Sequence, residues 1–267
     1  MTLAAPSTRR TGTGRIRLRS VTAVWLRHWV ALIRYWKITI TWILVEPAVA
    51  LLAVGFGIGK LVSEVEGAET YAEFVTPGII IGSAMFHALF ETSWNAYHRI
   101  DNQIYETQLT TPISIFELTL GDVAWAVTRS LMTTVAVALF AVALGWMNEW
   151  TAIGILIPAI LSGMVFGTMG FFFAATAPYT VFLSLVFTLV ATPLFFFSGT
   201  FFPISVLPDW IEPVAWAMPL TPGVHIARGF ATNHLEIAHL WSALYMVGLI
   251  AVFWPIAVWL MKRRLIK

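Results

Sequence analysis

The sequence predicts an all-α membrane protein with six transmembrane helices, an N-terminal interfacial helix and a re-entrant helical hairpin before the last span. Composition predicts the membrane: hydrophobic residues make up 58% of the 267 residues and charged residues only 11%, whereas soluble domains contain about 25% charged residues. Helices follow because apolar runs of about 20 residues recur without period-2 alternation, which is the length that a helix needs to cross a bilayer.

The positive-inside rule orients the spans, because Lys and Arg concentrate in cytoplasmic segments. Residues 1–37 contain eight Lys or Arg and no acid, and the C-terminal tail MKRRLIK adds four more. The loop SEVEGAETYAE after the first span is acidic and is expected outside. Both termini are therefore predicted in the cytoplasm, which requires an even number of crossings. The predicted spans are 38–60, 73–95, 117–146, 151–177, 180–202 and 239–261.

Residues 15–37 precede the first span and mix Trp25, Trp29 and Trp36 with spaced basic residues. This pattern favours a helix in the cytoplasmic interface, with its rings in lipid and its cations towards headgroups. The alternative is an ordinary basic flank of the first span. Residues 1–14 are predicted to be a disordered basic tail, and residues 38–267 a single six-span domain.

The most polar internal stretch is NAYHRIDNQIYETQLTTPIS, between the second and third spans. A short helix is predicted over about 101–111, because Asp101 suits a helix N-cap and Pro112 ends a helix. Such a helix between two spans serves either as a docking point for a soluble partner or as a connector. The sequence alone leaves both interpretations open.

Several polar residues fall inside the predicted spans, where ionisable groups are costly and turn towards protein or water. His87, Glu91 and Asn95 share one helical face, and Arg129 is expected to pair with Glu46 or Glu91. These groups either lock helices together or line a substrate path. A proton- or ion-coupled secondary transporter using Glu46, Glu91, Asp122 and Arg129 is an alternative function. The candidates for buried or path-lining positions are Glu46, His87, Glu91, Asn95, Asp122 and Arg129.

No motif for ATP binding, metal binding or hydrolysis is recognisable. The segment GFGIGK differs from a phosphate-binding loop because Val54 stands where glycine is needed and Leu61 replaces Ser or Thr. The chain is therefore predicted not to be an enzyme, with no catalytic residue, metal site or cofactor of its own and no nucleic-acid partner. A membrane-embedded enzyme using His87 and Glu91 is a further alternative. The glycines of SGMVFGTMG are expected to let helices approach closely.

The segment 197–224 cannot form one straight span, because five prolines interrupt helical hydrogen bonding. It predicts two short re-entrant helices over about 203–221 at the outer face, with Thr221 as a helix cap and Pro208 at a helix start. The residues assigned to this hairpin are Pro203, Pro208, Asp209, Trp210, Pro213, Pro219, Thr221 and Arg228.

Four motifs carry a family resemblance: EPAVALLAVGFGIG, YETQLTTPIS, LGDVAWAVTRS and FSGTFFPISVLPDWIEPVAWAMPLTPGVHIAR. In order and spacing they resemble the membrane subunit, or permease, of type-2 ABC exporters. The similarity is greatest to the NodJ-like branch, which exports nodulation lipo-oligosaccharides, and polysaccharide and drug exporter permeases are also similar. The resemblance covers nearly the whole chain from about residue 20.

The resemblance implies an ATP-driven exporter in the cytoplasmic (inner) membrane of a prokaryote. Its cargo would be an amphipathic or lipid-linked oligosaccharide or a hydrophobic drug-like molecule. A separate ABC ATPase subunit would bind ATP and magnesium, and two permeases, by default identical, would enclose the path among membrane lipids. The helix over 101–111 would be the coupling helix, which docks into the ATPase. The residues assigned to coupling are Asp101, Ile104, Tyr105, Glu106, Leu109 and Pro112.

Overall fold

The computed structural model describes residues 17–62 and 68–266, and these residues are almost entirely helical. Six helices in them are long and apolar enough to cross a membrane, which confirms the predicted number. The prediction of a disordered tail over 1–14 lies outside the described residues. We number the spans one to six: Trp36–Lys60, Tyr71–Asp101, Ile115–Ala143, Glu149–Thr176, Thr180–Phe197 and Ile237–Leu265.

Only spans three and six are uninterrupted α-helices. Span one comprises Trp36–Ile40, Thr41–Val45, Glu46–Leu52, Ala53–Gly57 and Ile58–Lys60; span two Tyr71–Phe90, Glu91–Asn95 and Ala96–Asp101; span four Glu149–Gly154 and Leu156–Thr176; span five Thr180–Val186, Phe187–Ala191 and Thr192–Phe197. Outside the spans lie α1 (Leu18–Arg34), α2 (Ile104–Leu109), a 3₁₀ turn (Ile204–Val206), α3 (Glu212–Ala217) and α4 (Thr221–Ala231).

Consecutive spans run in opposite directions, so the bundle has two chemically different ends. One end contains α1, α2, the 176–180 connection and the tail after span six; we call it the basic end. The other end contains the 143–149 connection and the segment between spans five and six; we call it the acidic end. At the acidic end the Tyr71 hydroxyl donates to the Phe201 carbonyl at 3.0 Å.

Span two forms the centre of the bundle. Of its most apolar window 78% is buried, compared with 28%, 22% and 17% for spans one, five and six. Its sequence explains this position, because Tyr71–Phe90 is apolar around its whole circumference and such a helix is stable only when surrounded. The peripheral spans instead expose Leu, Val and Trp side chains, as a lipid-facing surface requires.

Span four approaches its neighbours through glycine, as the SGMVFGTMG motif predicts. A Cβ atom at Gly163 would lie 3.0 Å from the Cα of Val127 on span three. A Cβ at Gly170 would meet the Leu89 carbonyl of span two at 3.0 Å. Small residues are therefore needed here because the backbones are in direct contact.

Three of the spans contain π-helical turns, where the backbone widens: span one has two, and spans two and five have one each. The first turn of span one and the turn of span five each precede a proline, Pro47 and Pro193, which has no N–H for the regular ladder. In span two the turn covers Glu91–Asn95 without a proline. There the hydroxyls of Thr92 and Ser93 donate to carbonyls one turn earlier, at 2.9 and 2.5 Å.

Arg264, near the end of span six, joins span six to the end of span four at the basic end. Its Nη1 atom donates to the carbonyls of Ala174, Ala175 and Ala177 at 2.5, 3.1 and 2.7 Å. The last carbonyls of a helix lack intrahelical partners, so this guanidinium caps the end of span four.

The proline-rich segment between spans five and six is broken into short helices, as its sequence predicts. Two details differ. Pro208 lies in a turn whose carbonyl accepts from Ile211, and it starts no helix. Thr221 does not cap α4; it is the first helical residue, and its hydroxyl donates to the Ala215 carbonyl at 2.5 Å. Arg228 of α4 donates to the Gly199 carbonyl at 2.6 Å.

Four of the assigned hairpin residues are exposed in the described chain, namely Pro208, Asp209, Trp210 and Pro213. Pro213 occupies the first turn of α3, a position where its missing N–H costs nothing. Pro203 precedes the 3₁₀ turn, and Pro219 lies between α3 and α4. The re-entrant placement of these helices in a membrane stays a prediction.

Candidate functional site

A cluster of ionisable side chains is buried at the basic end, where α1, α2, span two and span three meet. We call it the polar cluster. Its members are Arg27, His28, Glu91, Arg99, Tyr105 and Asp122.

Helix α1 supplies His28 and Arg27 because it lies directly on span three. A Cβ atom at Gly121 would fall 2.7 Å from the Cβ of Val24, so only glycine admits this approach. The ring of Trp25 stacks on Trp29, and its Nε1 donates to Thr128 of span three at 2.9 Å. Both rings are half-buried against span three, and the placement of α1 in the membrane interface stays a prediction.

Asp122 is the centre of the polar cluster and is fully buried. The Nε2 atom of His28 lies 2.5 Å from Asp122 Oδ1. Because a carboxylate only accepts hydrogen bonds, His28 donates here from Nε2. Arg27 approaches the same oxygen at 3.4 Å, and Arg99 approaches Oδ2 at 3.4 Å. Three cationic or donor groups thus converge on one carboxylate.

Glu91 extends the polar cluster into the π-helical turn of span two. Its carboxylate is paired with Arg99 and accepts a hydrogen bond from Asn95 Nδ2 at 2.9 Å. His28 Nδ1 lies 3.9 Å from the same carboxylate. Arg99 therefore bridges Glu91 and Asp122, and the polar cluster joins spans two and three.

Tyr105 connects helix α2 to the polar cluster. The side chain is 0% exposed, and its hydroxyl donates to Asp122 while accepting from Arg99. Burial, together with the adjacent Asp122 carboxylate, raises the pKa of the Tyr105 phenol well above its usual value of 10. The phenol consequently stays protonated and acts as a permanent donor.

The structure places helix α2 differently from the predicted helix over 101–111. Asp101 is the last helical residue of span two and does not cap α2. The chain turns at Gln103, whose φ of 57° is left-handed, and α2 then occupies Ile104–Leu109. Tyr105, expected to contact a partner, points into the chain. Leu109 packs in part against the apolar cluster around Leu118.

The outer face of α2 is the part open to a partner. Ile104 is 41% exposed although it is a large apolar residue. Glu106 beside it is exposed as well, as are Asp101 and Pro112 at either side. Sequence reasoning did not separate the inward face of this segment from its outward face, and docking on the segment stays a prediction.

The other predicted polar residues do not join the polar cluster. Arg129 is not within 4.0 Å of any carboxylate oxygen among the described residues, so the expected pair with Glu46 or Glu91 is absent there. Glu46 is exposed on the side of span one. His87 is buried in span two. Within the described ranges, no three His, Asp or Glu side chains are arranged to hold a metal ion.

Sequence reasoning missed Arg27, His28 and Arg99 as members of the polar cluster. A signal existed: Glu91 and Asp122 are buried carboxylates that need cations, and Arg99 is eight residues from Glu91, on the same side of a helix. The contribution of α1 had no such signal, because it depends on the packing of Val24 against Gly121.

A cavity of about 460 Å³ lies at the acidic end, between α3, α4 and span six. Trp216, Trp241 and Tyr245 form much of its wall. His225 stacks on His239 with ring centroids 4.2 Å apart, and its Nδ1 lies 3.1 Å from the Ser242 hydroxyl.

The sequence matches a family model described as ABC-2 type transporter over residues 19–231. The chain is 31% identical to Nodulation protein J of Rhizobium leguminosarum bv. trifolii, with 92% of this chain and 94% of that protein aligned. Nodulation protein J of Bradyrhizobium diazoefficiens is 33% identical over 78% of this chain and 79% of its own. The Inner membrane transport permease YadH of Escherichia coli is 23% identical over 80% and 82%.

The family model spans most of the chain, and the alignment with the first of these relatives runs almost from end to end. The resemblance inferred from the four sequence motifs is therefore confirmed, together with the six-span helical architecture. The chain belongs to the ABC-2 type transporter family, as a multi-pass permease subunit of an ABC exporter whose ATPase is a separate subunit.

Proposed function

We propose that the chain exports an amphipathic or lipid-linked oligosaccharide, or a hydrophobic drug-like molecule, across the cytoplasmic membrane of a prokaryote. The similarity to Nodulation protein J supports the first cargo, because the motifs quoted above resemble lipo-oligosaccharide exporters. The similarity to a permease named for the inner membrane supports the location.

In this proposal the basic end faces the cytoplasm. Support comes from the distribution of charge: α1 and the last turn of span six carry Arg19, Arg34, Lys262 and Arg263, whereas the acidic end carries exposed acids such as Asp209. Cations are retained on the cytoplasmic side of a membrane. Helix α2 would then project towards the ATPase.

The proposed mechanism depends on the buried hydrogen bond that attaches α2 to span three. The outer face of α2 offers Ile104 and Glu106 to a partner, while Tyr105 on its inner face is bonded to Asp122 of span three. A force applied to the outer face would therefore reach span three, and through Arg99 it would reach span two. A mere connector would not need a buried hydrogen bond to a carboxylate.

The proposed cycle starts when ATP closes the ATPase subunits against each other and displaces α2. The polar cluster moves with it, because removing one charged partner from a buried pair is costly. The π-helical turn Glu91–Asn95 is the element of span two at which the displacement can bend the helix. The spans then shift and open the path outwards.

A second copy of the chain is proposed to complete the path. Glu46 supports this, because it lies inside span one yet is exposed on the side of the described chain. Ionisable groups within a membrane face protein or water rather than lipid. A partner permease or an aqueous path beside span one would satisfy this carboxylate.

The alternative of a proton-coupled transporter requires Glu46, Glu91, Asp122 and Arg129 to act together. In the structure Glu91 and Asp122 are both engaged by Arg99, and Glu46 lies on the outer side of span one. These residues therefore do not form one relay, which favours the ATP-driven mechanism.

Transport into inside-out proteoliposomes tests the proposal. Vesicles containing the chain with its ATPase are expected to accumulate a fluorescent lipo-oligosaccharide when ATP and magnesium are added. Vesicles without the ATPase should not accumulate it. Accumulation driven by a proton gradient without any ATPase would refute the proposal and favour the secondary transporter.

The docking role of α2 is tested with Ile104→Asp. This change places a charge on the outer face of α2 and is expected to abolish co-purification of the ATPase without altering the fold. Val206→Asp is the matched control, since Val206 is a 71% exposed apolar residue at the acidic end. Equal ATPase recovery with both variants would contradict docking on α2.

A further inference from the structure

Arg129 lies at the centre of span three, the helix Ile115–Ala143, with fourteen helical residues on either side. At a rise of about 1.5 Å per residue, it is about 21 Å from the start of that helix. A cation at this depth is among the costliest groups that a membrane protein can carry, and such residues are retained for function.

No carboxylate of the described chain pairs with Arg129. Its Nε atom is buried without a hydrogen-bond partner among the described residues, and no hydrogen bond from its terminal nitrogens is found there either. The half-buried Arg228 shares the unpartnered Nε but differs in its terminal nitrogens, which are engaged. It donates to the Gly199 carbonyl and stacks over the ring of Phe74 at 3.9 Å.

The carboxylates near Arg129 are already engaged. Glu91 is paired with Arg99 and hydrogen-bonded to Asn95. Asp122 is held by His28, Tyr105 and Arg99. The region therefore contains more positive charge than its own acids neutralise, and the uncompensated cation is the deepest one.

The chemistry of a guanidinium defines what would compensate it. Its planar donors match the oxygen pairs of phosphate, sulfate and carboxylate groups. Within a low-dielectric span such a contact is much stronger than in water. The ligand also needs an apolar part, because it must reach a residue at the middle of an apolar span, whose most apolar window has a mean hydropathy of 1.7.

We propose that Arg129 is an anion-binding residue of the permease, which receives the phosphate, sulfate or carboxylate of an amphipathic ligand inside the membrane. This inference rests on the proposed export function, since it assigns a negative charge to the cargo or to a lipid that accompanies it. The site is formed by the unpartnered guanidinium at mid-span and needs no metal and no nucleotide.

Equilibrium binding to the full chain in phosphatidylcholine nanodiscs tests the proposal. The probes are radiolabelled farnesyl phosphate and farnesol, which share one apolar chain and differ in the charge. Farnesyl phosphate is expected to bind at least about tenfold more tightly, equivalent to about 1.4 kcal/mol. Inorganic phosphate in excess should compete weakly, because it lacks the apolar chain. Equal affinity for the two farnesyl probes would overturn the proposal.

Variants then assign the preference to Arg129. Arg129→Gln should reduce the affinity for farnesyl phosphate to about that for farnesol, whereas Arg129→Lys should retain part of the preference, because it keeps the charge but loses the planar pair of donors. Arg34→Gln is the control, since it removes an exposed cation of α1. An unchanged preference in Arg129→Gln would refute the assignment. If that variant does not fold, loss of the preference in Arg129→Lys, whose charge is intact, refutes it as well.

Nanodiscs that contain phosphatidylglycerol separate two sources of the anion. If this lipid displaces farnesyl phosphate, the residue binds an anionic headgroup; if it does not, the site selects the added amphiphile. Both results support anion binding at Arg129. Because these measurements use neither ATP nor the ATPase, a failure of anion binding at Arg129 is distinguished from a failure of ATP-driven transport.

Discussion

The hydroxyl of Tyr105 donates a hydrogen bond to the Asp122 carboxylate, and this contact joins helix α2 to span three. Arg99 reaches both residues, and through Glu91 it adds span two to the same connection. With His28 of α1 as a further donor, four segments of the chain meet at the Asp122 carboxylate: α1, α2, span two and span three. The first two predictions concern this polar cluster.

Replacing Tyr105 by Phe removes only the hydroxyl. A hydrogen bond to a charged group contributes about 1.5–3 kcal/mol, so we expect a midpoint of thermal unfolding lower by about 4–10 °C. In the complex with the ATPase, fewer molecules should be transported per ATP hydrolysed. Tyr179→Phe is the control, because Tyr179 is an exposed tyrosine at the same end. Identical melting and coupling in the two variants would count against the role of Tyr105.

Replacing Asp122 by Asn leaves Arg99 and His28 without their shared carboxylate. Removing one partner of a buried ion pair costs about 3–5 kcal/mol, and we expect a loss of that order in denaturant unfolding. The double variant with Arg99→Gln should recover part of it, with a coupling energy of about 0.5–3 kcal/mol. Asp209→Asn, at an exposed acid, should change nothing. Strict additivity of the Asp122 and Arg99 changes would disprove their interaction.

Arg264→Gln removes the cap of span four, which consists of three contacts to the carbonyls of Ala174, Ala175 and Ala177. We expect the free energy of unfolding to fall by about 1.5–3 kcal/mol. Lys262→Gln is a matched control, because Lys262 is exposed in the same last turn of span six and its loss changes the charge equally. A similar loss in both variants would show that charge, rather than capping, explains the effect.

The stacked histidines at the acidic end predict a pH dependence of stability. Burial, the neighbouring His239 and Arg228 lower the pKa of His225 to about 4 from 6.5, while Glu236 opposes this. The unfolded chain therefore takes up the proton first as the pH falls, and stability is lost between about pH 6.5 and 4. Thermal midpoints should fall less steeply over this range in His225→Gln.

The exposed His98→Gln serves as the comparison for the pH series, since His98 lies at the opposite end of the bundle. The role of His225 requires a larger change of slope in His225→Gln than in His98→Gln. If His225→Gln retains the full pH dependence, the titrating group lies elsewhere.

The spans could be predicted from the sequence because each depends only on the residues within its own segment. Residues 71–90 are apolar all round, and a segment of this kind can only be a buried or membrane-embedded helix. Likewise, the prolines between Phe197 and Val224 exclude one continuous helix whatever surrounds them. Boundaries were less certain: the third span begins at Ile115, where Ser114 and Glu117 form a capping box.

Partnerships within the spans could not be predicted in the same way. Arg129 was expected to pair with Glu46 or Glu91, since a buried cation needs an anion. In the structure Glu91 is paired with Arg99 instead. Span two ends at the turn formed by Asn102 and Gln103, and the long side chain of Arg99, just before this turn, lies in the polar cluster. Which of several cations meets a carboxylate depends on distances between helices, and sequence spacing does not contain these.

The sequence by itself determined the membrane environment, the number of spans and the family. Each of these follows from a local feature of the sequence: the length of the apolar runs, the positions of the prolines and the order of the motifs. Only the tertiary structure decided which face of α2 is free. Tyr105 turns inwards because Asp122 requires a donor, and Ile104 is therefore left outside. It also decided that α1 belongs to the polar cluster, since Gly121 lets Val24 approach span three. Such contacts depend on helices brought together from distant parts of the chain.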